Sequence, residues 1–352
     1  MPHIAAVSKI DLPDKTNQQD VKAQAREMFS KDFPQADRLM PAFDNTGILT
    51  RNFVKPLSYY AETTTFKERN DEYIRLSLQY SVQAVEGVIT KAGIDKDDIT
   101  DIIFISTTGL ATPSIDALII NQMHLNPHIN RTPVWGLGCA GGVSGMAKAN
   151  LAAKANPDAV VLLVAVELCS LTLIKSDYSK SNFIGSSLFS DGIVACIIKG
   201  DNHKQPKQLL SIKAASSKLY YDSLDVMGWD FREDGFKVVF SKDIPTFIHT
   251  NISQDIEDFL EKQGLKLSDI KNFIFHPGGK KVLDAYVDAL QIEGDFLKNT
   301  REVMNDNGNM SSVTVLYVLE KFVATGFADG YGLMLAMGPG FSSEMVLLDM
   351  KN

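Results

Sequence analysis

Three short motifs bring together residue types that can move an acyl group. Cys139 lies in Gly136-Leu-Gly-Cys-Ala-Gly-Gly142, His276 in Phe-His-Pro-Gly-Gly279, and Asn309 in Gly-Asn-Met-Ser-Ser312. The glycines around Cys139 permit a tight turn, and a helix beginning near Val143 would aim its positive end at the sulfur. Such a helix end, with a nearby imidazolium, is the usual means of moving a cysteine from about 8.5 toward neutrality, and the thiolate is the form that attacks a thioester.

His276 sits where an apolar strand breaks into a Pro-Gly-Gly loop, a common place for a catalytic side chain, although a satisfied structural histidine at a strand end reads the same way. Asn309 can cap the following helix, a role open equally to Ser311 and Ser312. If a serine caps, the Asn309 amide is free to donate to a developing oxyanion without adding charge. Cys139, Cys169 and Cys196 are odd in number and lack CxxC spacing, so neither a disulfide framework nor a zinc site is indicated.

The elements that must position these residues occur twice. Gly93 to Thr107 (GIDKDDITDIIFIST) reads like Gly264 to Gly278 (GLKLSDIKNFIFHPG), with Asp98 and Ile99 matching Asp269 and Ile270. Each copy follows a helical pattern, Leu78, Val82, Val85 and Ile89 in the first and Ile252, Ile256, Phe259 and Leu260 in the second, with Gly93 and Gly264 as C-terminal caps. Downstream, GLGCAGG leads to a helix over about 143–155 and the strand AVVLLVAVE, as DNGNMSS leads to a helix over about 311–324 and the strand YGLMLAM. Strands this apolar must be covered on both faces. The pattern predicts an α/β chain of two duplicated halves, 1–205 and 206–352, with Cys139 and Asn309 at equivalent places before a central helix.

Composition narrows the function. Of 352 residues, 45% are hydrophobic and 22% charged, as in a globular enzyme with a large core. A formal charge of -8 argues against nucleic acid as partner. The N-terminus MPHIAAVSKIDLPDK lacks a charged leader before an apolar stretch. The apolar run from Ala159 to Leu168, broken by Glu167, is far short of a membrane span, so a cytoplasmic chain without membrane contact is expected.

Together, GLGCAGG, FHPGG and GNMSS resemble the signature of the chalcone synthase-like, or type III polyketide synthase, family. The resemblance extends over SSLFSDG (Ser186 to Gly192), GWDFREDGFKVVFSKDIP, TREVM and AMGPG (Ala336 to Gly340). It implies a five-layered αβαβα thiolase fold, a homodimer, and CoA thioesters as substrates with no cofactor and no metal. It also implies that Cys139 accepts an acyl starter while His276 and Asn309 stabilise the enolate left when malonyl-CoA loses carbon dioxide. A ketoacyl synthase III-like enzyme shares Cys, His and Asn but typically carries an HQAN-like motif where this chain has HPGG. A thiolase needs a second catalytic cysteine, and a hydroxymethylglutaryl-CoA synthase a glutamate base for which no motif is evident. A non-catalytic thiolase-fold binding protein would be expected to have a broken triad.

The same resemblance places Thr107, Thr108, Cys169 and Thr172 around the cavity, with Phe189, Trp229, Val238 and Ser311. The AMGPG block adds Gly338 and Pro339. Thr112 corresponds to the residue that in this family reaches across the dimer, and Arg51 and Lys55 are candidate contacts to CoA phosphates. Cys169, Trp229 and Val238 depart from the plant chalcone-forming pattern. VELCSLTL and SLFSDGI are similar to bacterial members that release long-chain alkylpyrones or alkylresorcinols, with phloroglucinol or a related small aromatic as the alternative product.

Overall fold

In the computed structural model, which describes residues 1–352 apart from 31, 32, 34, 206–208 and 242, the two helix–strand segments fold alike. The helix Phe66–Ala92 ends at Gly93, whose φ is +60°, and Ile94 N–H reaches back to Ile89 O at 3.3 Å. The helix Ile244–Glu261 closes the same way through Gly264 at φ +69°, with Leu265 N–H on Leu260 O at 3.0 Å. A side chain at either glycine would strain this left-handed turn. One 3₁₀ turn follows in each half, Lys96–Asp98 and Leu267–Asp269, where the Asp98 and Asp269 carboxylates accept the N–H groups of Asp95 and Lys266.

The sheet repeats the duplication. Among the described residues its nine strands run Ile270–Phe275, Gly330–Gly338, Ser342–Lys351, Leu209–Leu219, His3–Lys9, Asp191–Lys199, Val160–Leu168, Asp101–Ile105 and Asn130–Val134. From Asp101–Ile105 inward the order is one parallel pairing, then two antiparallel ones, and the sequence from Ile270–Phe275 inward is the same. The halves meet where His3 pairs with Ser211. The expected division between 205 and 206 adjoins residues 206–208, which lie outside those described.

Alternation along the strands produces five layers. Ile103 and Ile105, Val161 and Leu163, Ile274, Met334 and Ala336 face a central core that includes the helices Gly141–Ala155 and Thr314–Thr325. Ile102, Phe104, Leu162 and Val164 face the opposite way, onto Phe66–Ala92 and Ile115–Met123. Phe273, Phe275, Leu333 and Leu335 face Ile244–Glu261 and Lys280–Leu290. The order is helix, sheet, helix, sheet, helix, with each strand's period of two dividing its side chains between layers. This is the expected thiolase-like αβαβα arrangement.

The first outer helix is rotated from its expected stripe. Ala84, Val85 and Val88 are buried, whereas Leu78, Val82 and Ile89 are half-buried. Ser77, Ser81 and Ala84 are all fully buried, so the helix lies on the sheet along a strip of small side chains rather than on its leucine and isoleucine edge. The second helix buries Ile252, Ile256, Phe259 and Leu260 as expected.

Candidate active site

Cys139 stands in the 3₁₀ turn Gly138–Ala140, directly before Gly141–Ala155. Gly138 is required there: its φ is +47°, and a β-carbon would lie 2.6 Å from Pro339. Its N–H donates to Thr107 Oγ1 at 3.1 Å, tying the Cys139 turn to the strand end after Ile105. The second half has the matching turn Ser311–Val313, whose first residue, Ser311, also has positive φ at +49°. Ser311 therefore matches Gly138 and Ser312 matches Cys139. Asn309 lies three residues earlier, which corrects the expected equivalence of Cys139 and Asn309.

Asn309 pairs as a parallel bridge with Phe189, with its N–H on Leu188 O at 3.0 Å. Its Oδ1 accepts the Ser311 N–H at 2.9 Å, and its Nδ2 donates to Gly278 O at 3.2 Å. Asn309 Oδ1 thus holds the first N–H of the 3₁₀ turn, while neither serine caps the helix Thr314–Thr325: Ser312 Oγ donates to Glu167 and Ser311 Oγ accepts from Cys139 Sγ. One of two amide hydrogens remains for another acceptor. Capping and donation, read as alternatives in the sequence, coexist in one amide.

His276 follows the strand Ile270–Phe275, its N–H on Leu335 O at 2.8 Å, and neither ring nitrogen has a hydrogen-bond partner among the described residues. Burial pushes His276 down to about 3 and Cys139 up to about 12. The expected thiolate is therefore not favoured by these surroundings. Burial is the largest cause, the contact to Ser311 Oγ at 3.7 Å offsets part of it, and the Glu167 charge raises the thiol further.

Glu167 is a site residue that the sequence reading passed over. Fully buried, it accepts Thr107 N–H at 3.0 Å and Ser312 Oγ at 2.6 Å, and burial pushes it up to about 7. The available signal was a carboxylate interrupting the apolar run that becomes Val160–Leu168, where an unpaired charge is costly.

Around Cys139 the structure gathers Thr107, Thr108, Cys169, Phe189, Trp229, Val238, Ser311 and Pro339, as expected, together with Met227 and Phe240. Thr172 lines a second cavity, and Gly338 instead backs the Cys139 turn, where a β-carbon would lie 2.4 Å from Leu137 O. Thr112 is exposed and lines neither cavity. Neither His276 nor Asn309 lines the Cys139 cavity: Asn309 meets it through Ser311, and Gly278, which accepts from Asn309 Nδ2, donates its N–H to His276 O at 3.2 Å. Cys169, Phe189, Trp229 and Val238 line both cavities and so form a shared wall. Trp229 is fixed in that wall by its Nε1–H on Thr107 O at 3.0 Å.

Arg51 is not a phosphate contact. It is 1% exposed, donates through Nη1 to Ser186 O and Phe189 O at 2.8 Å each, and lies over the rings of Phe43 and Phe53. Burial lowers it to about 9, against the favourable charge of Asp191. Lys55 remains partly exposed, 2.7 Å from Glu72 and over the Tyr59 ring. No group of three or more potential metal ligands occurs among the described residues, nor does any helix among them have the length and apolarity to cross a membrane.

Residues 48–202 match the model for chalcone and stilbene synthases, N-terminal domain, and residues 211–351 the model for their C-terminal domain. A putative chalcone synthase of Bacillus subtilis is 42% identical over 342 residues, 94% of each chain. A 1,3,6,8-tetrahydroxynaphthalene synthase of Streptomyces peucetius is 35% identical, over 98% of this chain and 92% of its own. The crystal structure of the Streptomyces coelicolor 1,3,6,8-tetrahydroxynaphthalene synthase, a bacterial type III polyketide synthase, superposes with a TM-score of 0.93 at 26% identity and covers 99% of both chains.

Proposed function

The chain belongs to the chalcone and stilbene synthase family of type III polyketide synthases, acyltransferases that condense thioesters, and we propose that Cys139 is its acyl-carrying nucleophile. Cys139 takes an acyl group from CoA, and malonyl-CoA supplies the extending unit. Loss of carbon dioxide leaves a thioester enolate, whose oxygen is met by the spare Asn309 amide hydrogen and the His276 N–H. The enolate carbon attacks the Cys139 thioester, forming the new C–C bond and releasing the sulfur.

With His276 neutral, one ring nitrogen is bare and the other carries hydrogen. The bare nitrogen receives the Cys139 proton as the sulfur attacks the starter. Proton transfer belongs to the loading step rather than to the resting chain.

The observation that carries the substrate reading is the second cavity beyond the shared wall. Val21, Ala25, Met28, Leu57, Leu173 and Phe236 make its surface mainly apolar, which suits the alkyl part of an acyl starter. An alkylpyrone or alkylresorcinol is the product class this supports. A small polyhydroxylated aromatic built from malonyl units is the second reading, supported by the indole standing in the wall and by the names of the Streptomyces relatives. As a family member the chain is proposed to act as a homodimer, with exposed Thr112 directed to the partner's cavity.

Mass spectrometry of products from malonyl-CoA alone and with a panel of acyl-CoA starters tests both readings. Alkylated pyrones or resorcinols are expected, and a fully aromatic product from malonyl-CoA alone would favour the second. No product from any starter, together with an unmodified Cys139 after acyl-CoA incubation, would sink the condensation itself.

A further inference from the structure

Beyond Cys169, the wall of the distal cavity holds a polar chain that the condensation does not use. Asp191 is fully buried at the start of the strand Asp191–Lys199. Its Oδ1 accepts the Ser170 N–H at 2.8 Å, and its Oδ2 accepts the Val54 N–H at 2.9 Å and the Ser170 hydroxyl at 2.6 Å. The Tyr60 hydroxyl lies 2.7 Å from Ser170 Oγ.

Hydrogen counting fixes the direction of this chain. Each Asp191 oxygen accepts a backbone N–H, from Ser170 on Oδ1 and from Val54 on Oδ2, the pattern of a carboxylate, which can only accept, and burial pushes the group up to about 6. Ser170 has one hydroxyl hydrogen, and Asp191 takes it. Tyr60 must then donate to Ser170, which leaves Ser170 Oγ with one unused lone pair and no hydrogen to offer. Ser170 lines the distal cavity and, with Tyr60, a wider neighbouring opening; it is 8% exposed, so a bound chain can reach it. A ketone or carboxylate finds no hydrogen on this oxygen, whereas an alcohol does find an acceptor.

We propose that Ser170 is a specificity-determining residue of the distal cavity, its oxygen accepting a hydrogen bond from a hydroxyl group on the acyl chain, so that hydroxylated acyl-CoA thioesters are the favoured starters. This rests on the reading above, in which the starter loaded on Cys139 extends past Cys169, the residue that lines both cavities. A plain alkyl chain leaves the buried Ser170 lone pair facing carbon. A hydroxylated chain loses water on entry but regains one partner, and discrimination arises from that difference.

The test compares lauroyl-CoA with analogues hydroxylated near the thioester, at mid-chain and at the far end, each with malonyl-CoA. In the unaltered protein at least one hydroxylated starter should exceed lauroyl-CoA about tenfold in kcat/KM, the scale of one well-made hydrogen bond. Ser170→Ala should bring that ratio to near one, whatever happens to the absolute rates. Tyr60→Phe disturbs the same chain but keeps the Ser170 acceptor, and should retain the preference. No preference for any hydroxylated starter in the unaltered protein overturns the proposal, as does equal loss in both variants or a preference that survives Ser170→Ala. If no starter gives product, the condensation reading fails separately, and calorimetric binding of the same thioesters still measures the Ser170 contact.

Discussion

Glu167 Oε1 and Ser312 Oγ lie 2.6 Å apart, joining the end of a first-half strand to the residue that matches Cys139 in the second half. Thr107 N–H on Glu167 Oε2 completes a buried clamp beside the Cys139 turn. Because burial pushes this carboxyl up from 4.5 to about 7, the folded chain holds its proton over a range where the unfolded chain has released it. The associated stability is fully present below about 4.5 and is lost as pH rises to about 7. The difference is about 3 kcal/mol, to which Asp191, raised from 3.8 to about 6, adds in the same direction. Glu167→Gln removes the titration. Urea unfolding at pH 5 and pH 7 should show a smaller stability difference in the variant than in the unaltered protein.

The two basic candidates separate by measurement. Arg51→Ala leaves the Ser186 and Phe189 carbonyls without their donor and opens a hole between Phe43 and Phe53. A loss of about 3 kcal/mol or more is expected in chemical denaturation. Lys55→Ala removes a partly exposed pair with Glu72 and should cost about 1 kcal/mol or less. If Lys55 meets a CoA phosphate, its variant raises KM for acyl-CoA several-fold at low salt, and that increase shrinks as salt is added. An unchanged KM in Lys55→Ala would remove it from the CoA site.

Asn309 makes a sharper case than its neighbours, since both ends of its amide are committed. Asn309→Asp puts a carboxylate oxygen against Gly278 O where Nδ2 donated at 3.2 Å, and takes away the hydrogen left for the enolate. Malonyl-CoA decarboxylation should fall about a hundredfold or more, the usual cost of losing one oxyanion donor. Carbon dioxide release measured without a starter isolates this step, and a rate near that of the unaltered protein would exclude Asn309 from it.

How much of this was legible in the sequence follows from which signals are local. Gly93 and Gly264, Asp98 and Asp269, and the alternating strands declare themselves within a few residues, and the duplicated halves follow from them. Cys139, Ser311 and the cavity wall were recoverable through motif blocks. The place of Asn309 was missed by three residues because the matching turn begins at Ser311, a non-glycine with positive φ, which sequence disguises. Arg51 misled because the sequence reading took its charge for a surface property, and only packing shows it held under two rings and two carbonyls. Glu167 was hidden for the opposite reason: its three partners, Thr107, Thr108 and Ser312, come from distant segments that only tertiary folding brings together.

Trp229 sets how wide the passage between the two cavities is. Its indole lines both, is held by Thr107 O, and packs on Phe236 with ring centroids 6.0 Å apart. Trp229→Ala removes most of that wall and should widen the passage past Cys169 between the cavities, since Cys169, Phe189 and Val238 alone leave the gap unfilled. Half-buried as it is, the loss should cost about 1–3 kcal/mol, which the fold can bear. Products should then shift toward longer chains or more condensations, read by mass spectrometry against the unaltered protein at matched turnover. Trp229→Phe keeps a ring in the wall and loses the bond to Thr107, so its product spectrum should stay closer to that of the unaltered protein. If Trp229→Ala leaves chain length unchanged while lowering the rate, the indole supports the Thr107 strand end and does not narrow the passage.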